Sequence, residues 1–116
     1  MNIRQLMVLI ERSMNDRIEW AVFESNDRAA WHRVSQVIED LLFDLWKKGL
    51  LKGSKRQEAF FVRCDRSTMK QSDLYNGRVI CVIGIAPVRP AEFVLCRAEV
   101  WEKDGASCFV TTDWET

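Results

Sequence analysis

Arg78–Cys96, RVICVIGIAPVRPAEFVLC, is the most apolar and β-branched stretch of the chain. It reads as two strands, Val79–Ala86 and Phe93–Cys96, joined by a connection that holds both prolines, Pro87 and Pro90. In a strand, successive side chains point to opposite faces. Val79, Cys81, Ile83 and Ile85 then share one face of the first strand, and Ile80, Val82 and Ala86 the other. Both sets are apolar, so both faces call for cover. In a chain of 116 residues, one domain by the usual size prior, that cover is in short supply. Two readings stand side by side: an ordinary sheet core, or a sheet with one face or edge completed by another subunit.

Two amphipathic helices precede the strands. From Asn2 to Ile18, Ile3, Leu6, Met7, Ile10, Met14 and Ile18 recur at helical spacing, with Val8 and Leu9 widening the apolar stripe enough to suggest cover on a second flank. After a link Trp20–Phe23, expected to be extended, Asn26 is the expected N-cap of a helix from Asp27 to Lys48. Its apolar face is Ala30, Trp31, Val34, Val37, Ile38, Leu41, Leu42, Leu45 and Trp46. Lys47 and Lys48 suit the negative end of the helix dipole, and Gly49 suits a left-handed C′ position.

A turn-rich segment, Leu50–Arg56, leads to a short strand at Ala59–Cys64. Met69–Tyr75 has the makings of one or two helical turns closed by Asn76-Gly77. Near the C-terminus Asp104-Gly105 is a favoured two-residue hairpin pair. It would carry the second strand on to Trp101, set Val100 and Trp101 against Cys108 and Phe109, and bring the chain back along Ala106–Thr111. The other reading of this end is an extended arm that pairs with another molecule. The fold class is therefore α+β, with two long helices packed on a small, mainly antiparallel sheet in two layers.

Composition narrows the function classes. Lys+Arg and Asp+Glu are both 17, and zero net charge argues against a general nucleic-acid binder. A local patch at Lys52, Lys55, Arg56 and Arg63, near Phe60 and Phe61, keeps a small nucleic-acid-binding or regulatory domain as the alternative reading. No run approaches the ~20 apolar residues of a membrane span, and the start carries no signal-peptide pattern, so cytoplasmic synthesis is expected. Cys64, Cys81, Cys96 and Cys108 form no CxxC pair, and His32 is the only histidine, so neither a metal site nor a cofactor is expected. No Walker, GxGxxG, GxSxG or HExxH pattern is present. Glu39, Asp40 and Asp44 read as a solvated helix face rather than a catalytic pair. No enzymatic activity is expected.

Five separated patterns occur together: IERSMNDRIEWAVFESND at Ile10–Asp27, Trp31, VIEDLLFDLWKKGLLKG at Val37–Gly53, EAFFVRCD at Glu58–Asp65 and GRVICVIGIAPVRPAEFV at Gly77–Val94. In this order they resemble the C-terminal domain of contractile phage tail sheath proteins. The resemblance covers about Asn2 to Cys96. It divides the chain into a sheath-like domain, 1–96, and a C-terminal extension, 97–116, that is either a hairpin or an intersubunit arm. It implies a structural subunit of a phage or prophage tail, assembled in the bacterial host cytoplasm around a tail tube, with other sheath subunits and the tube protein as partners. Arms of neighbouring subunits are expected to add strands to the sheet. Phe93, Val94, Leu95, Cys96, Val100 and Trp101 are then the expected intersubunit strand contacts, and Arg12, Arg17, Lys47 and Lys48 the candidates for facing the tube. Family members are several times longer than this chain, so a fragment, a truncated gene product or a small dedicated protein are all compatible with the resemblance.

Overall fold

A computed structural model describes residues 3–18, 20, 27–88, 94–103 and 106–115. In chain order these form α1 (Ile3–Arg17), α2 (Arg28–Lys47), α3 (Arg56–Ala59), β1 (Phe60–Arg63), a 3-10 turn (Arg66–Thr68), α4 (Gln71–Tyr75), β2 (Val79–Ile85), β3 (Val94–Lys103) and β4 (Ala106–Glu115). The strands make one antiparallel sheet in the order β1-β2-β3-β4. Helices α1 and α2 lie side by side, α1 against β4 and α2 against β1. This is the expected α+β arrangement.

The helical periodicity is realised in the core. Leu6, Met7, Ile10, Met14 and Ile18 from α1 are buried, as are Ala30, Trp31, Val34, Ile38, Leu41, Leu42 and Leu45 from α2. Of the two residues that widened the stripe of α1, Val8 is 41% exposed and Leu9 is half-buried against the core. Asp27 is the N-cap of α2, its carboxylate accepting the Ala30 N–H at 3.0 Å. The cap expected at Asn26 lies outside the described residues. The C-terminus of α2 closes as a Schellman motif. Leu50 N–H donates to the Leu45 carbonyl and Gly49 N–H to the Trp46 carbonyl, both at 3.0 Å, and Gly49 takes φ +82. Trp20 has 3-10 geometry rather than the expected extended form. The Arg33 guanidinium lies 4.2 Å from its ring centroid. Ala21–Phe23 lie outside the described residues.

The segment expected to be a strand from Ala59 begins instead with a helical turn, and extended pairing starts at Phe60. Serine and glutamate explain the turn. Glu58 accepts hydrogen bonds from the Ser54 N–H and hydroxyl, which draws residues 54–58 together. Leu51, placed in a turn-rich connection by its sequence, forms an isolated bridge with Pro87.

β2 is buried at every position but Val82. Val79, Cys81, Ile83 and Ile85 face the helices with Phe60, Val94, Cys96, Ala98, Val100 and Phe109. Fully burying a side chain such as Phe109 contributes roughly 1.5–3 kcal/mol. The opposite face is covered unequally. Ile80 is buried where the 3-10 turn and α4 pack on β2, but Val82 is only half-buried, and its neighbours Phe61 and Leu95 are 40% and 52% exposed.

Candidate intersubunit interface: the edges of the sheet

At Phe109 and Thr111 the outer edge of β4 is bonded by side chains of α1. β4 pairs with β3 in the register Glu99↔Val110, Val100↔Phe109 and Trp101↔Cys108. The main-chain groups of Phe109 and Thr111 point away from β3. Phe109 N–H donates to Asn15 Oδ1 at 2.7 Å, and Asn15 Nδ2 donates to the Phe109 carbonyl at 3.1 Å. Thr111 N–H donates to Glu11 Oε1 at 2.8 Å, and the Thr111 hydroxyl donates to the same oxygen. Glu11 and Asn15 are one turn apart on α1, so their side chains lie one above the other along the helix. They supply the donors and acceptors that an adjoining strand would supply. Unpaired strand edges are templates for association, and α1 occupies this one.

The other edge is short. In β1 the Ala86 N–H to Ala59 carbonyl bond, 2.8 Å, sets the alternation, so Phe60 and Val62 turn their main-chain groups outward. Phe60 N–H is held by the Arg56 carbonyl. Beside this edge is a cavity of about 190 Å³ lined by Glu39, Arg56, Phe60 and Val62. Arg56 closes over it: its guanidinium is 5.4 Å from both the Phe43 and Phe60 ring centroids and 3.8 Å from Glu39. Beyond Arg63 the partner strand ends, and the Thr68 hydroxyl donates to the Ile80 carbonyl at 2.7 Å. Asp65 caps that turn. Hydrogen bonds from the Ser67 hydroxyl, then its N–H, hold the Asp65 carboxyl below its ordinary value.

Of the expected strand contacts, Val94, Leu95, Cys96, Val100 and Trp101 all lie in β3, and Phe93 lies outside the described residues. β3 is an inner strand, with β2 on one side and β4 on the other. Val94, Cys96 and Val100 are buried, whereas Leu95 and Trp101 lie on the less covered face. The expected tube-facing residues sit at separate places on the helical layer. Arg12 and Arg17 are exposed on α1, and Lys47 and Lys48 are exposed at the end of α2. The Lys47 ammonium lies 5.6 Å from the Phe43 ring centroid and 6.0 Å from that of Trp46. The Glu11–Asn15 pair was not foreseen. Both are polar residues of α1, and nothing local in the sequence says that a strand from the far end of the chain will meet them.

The thiols sort by burial. Cys81 and Cys96 are buried, and Cys64 and Cys108 are half-buried. A hydrogen bond with Cys64, then burial, pushes the Cys81 thiol well up. Burial first, and then the nearby Glu11 carboxylate, push Cys96 up to about 12. His32 is exposed on the polar side of α2. Among the described residues no group of three or more His, Cys, Asp or Glu is placed to hold a metal ion.

Comparison with known proteins agrees with this architecture. The phage tail sheath C-terminal domain family matches residues 1–100. A cryo-EM structure of the anti-feeding prophage baseplate, six-fold symmetrised, is similar at 41% identity and TM-score 0.69, over 78% of this chain and 25% of that one. The contracted sheath complex of an extracellular contractile injection system, PVC, is similar at 40% identity and TM-score 0.67, over 78% of this chain and 26% of that one. No curated protein matches. The chain spans about a quarter of the length of these two solved relatives. It belongs to the phage tail sheath C-terminal domain family.

Proposed function

We propose that this chain joins neighbouring subunits of a contractile sheath by exchanging β4. In the isolated chain β4 lies between its own β3 and the Glu11–Asn15 pair of its own α1. The same surface would receive β4 from a neighbouring copy, because every bond it offers is to main chain or to a side chain carried on β4 itself. β3 then becomes an intersubunit contact: Val94, Leu95, Cys96, Val100 and Trp101, together with Phe93, form the acceptor side. The carrying observation is that β4 is held on both edges while its connection to β3 is only residues 104–105. A short hairpin connection can open and let a terminal strand exchange between identical partners.

Strand exchange keeps subunits linked while the helical layer moves during contraction. The product is a sheath in the tail of a phage or related particle, assembled in the host cytoplasm around a tube. Arg12, Arg17, Lys47 and Lys48 are proposed to face that tube. Sedimentation over a range of concentrations tests the exchange. Self-association that disappears when residues 106–115 are deleted is expected. A strictly monomeric full chain at every concentration would speak against it.

A further inference from the structure

We propose that Cys64 and Cys81 are an oxidisable thiol pair, in which a hydroperoxide attacks the accessible Cys64 and Cys81 resolves the product into a cross-strand disulfide. This site is independent of the strand exchange.

Register brings the two together. The β1–β2 ladder runs Phe60↔Ile85, Phe61↔Gly84, Val62↔Ile83 and Arg63↔Val82, and one further step sets Cys64 opposite Cys81. The Ala86 to Ala59 hydrogen bond fixes Ala59, Phe61 and Arg63 as the hydrogen-bonded positions, so Cys64 takes a non-hydrogen-bonded one. Opposed Cα atoms there approach to roughly 4.5 Å, within the ~4.4–6.8 Å range that a disulfide spans. Cys64 is also the first cause of the upward shift of the Cys81 thiol, as a close neighbour would be.

Access is asymmetric. Cys81 is buried, whereas Cys64 is half-buried and lines a cavity of about 380 Å³ with Arg28, His32 and Arg66. Arg28 and Arg66 make that lining basic. Asp65 also lines the cavity, but its carboxylate accepts hydrogen bonds from Ser67. A partly accessible thiol backed by a second thiol is the arrangement of redox-sensitive cysteines.

The chemistry balances. The Cys64 thiolate attacks the nearer peroxide oxygen, the O–O bond breaks, and with proton transfer water (or the corresponding alcohol) leaves, giving a sulfenic acid. The Cys81 sulfur then attacks the Cys64 sulfur, the S–O bond breaks, and water leaves with the Cys81 proton. Two thiols are oxidised and one peroxide is reduced. The disulfide staples the loop that carries the 3-10 turn and α4, including the Thr68 hydroxyl that closes the Ile80 carbonyl.

The test is treatment of the folded full chain with hydrogen peroxide, followed by thiol counting and peptide mapping. The expected result is loss of two thiols, with the peptide carrying Cys64 joined to Cys81 and released by a dithiol reductant. In Cys81→Ser, oxidation should stop at a sulfenic acid on Cys64 that dimedone captures. In Cys64→Ser, Cys81 should stay reduced. Circular dichroism establishes that each variant is folded, and the wild-type map decides alone if one is not. Four thiols surviving peroxide, or a disulfide joining Cys96 or Cys108 instead, would overturn the proposal.

Discussion

Asn15 on α1 and Phe109 on β4 exchange two hydrogen bonds, 2.7 and 3.1 Å long, although 94 residues separate them in sequence. Each bond uses a main-chain group of β4 that points away from β3, where no described strand lies. A main-chain donor or acceptor left unpaired in a shielded place costs about 1–3 kcal/mol, so this one amide has a large effect for its size. Asn15→Ala is expected to lower unfolding free energy by about 1–3 kcal/mol. Urea titration should show a lower midpoint at nearly unchanged slope. A variant within experimental error of the wild type would mean that water replaces the amide at no cost.

Much of the architecture follows from local rules. The 3.6-residue pattern of α2 named its buried face, with only Val37 and Trp46 left half-buried. The hairpin reading set Val100 and Trp101 against Phe109 and Cys108, the register observed. Gly49 and Gly77 both have positive φ, at +82 and +71, because turn chemistry is written in single residues. What could not be read was cross-chain chemistry. Glu11 and Asn15 look solvated until the sheet order brings β4 to α1. Likewise Cys64 and Cys81 are unrelated in sequence and meet only through the β1–β2 register. Strand order is a long-range property, and no window of neighbouring residues encodes it.

Gly49 tests the helix stop separately from packing. A Cβ built at Gly49 meets nothing within 4 Å, so Gly49→Ala changes only the backbone preference. The left-handed conformation costs a non-glycine residue roughly 1–2 kcal/mol. Thermal unfolding should show a loss of that size. Gly49→Asn should lose less, because asparagine tolerates this region better.

Stability should fall in alkali. Cys96 is held up at about 12 in the fold against an ordinary value of 9.0. Between these values the unfolded chain has lost the thiol proton and the folded chain retains it. Unfolding is then favoured as pH rises, by about 1.4 kcal/mol per pH unit for this one group. The contribution is intact below 9.0 and is lost progressively up to about 12. Denaturant midpoints measured across that range for wild type and Cys96→Ser check the sign: the variant's curve should be shallower. Parallel curves would show that Cys96 is not protected.

The strand-exchange account stands or falls on whose β4 lies beside a given β3. Trp101 faces Cys108 across the β3–β4 ladder, so Trp101→Cys places a new thiol opposite a native one, within the ~4.4–6.8 Å Cα range that a disulfide spans. The decisive measurement is mild oxidation of assembled sheath particles carrying this substitution, followed by denaturing electrophoresis without reductant. The account predicts a ladder of covalently linked subunits that collapses to monomer on reduction and is absent when Cys108 is replaced by serine. Quantitative formation of the 101–108 disulfide within single chains of the assembled particle would contradict it.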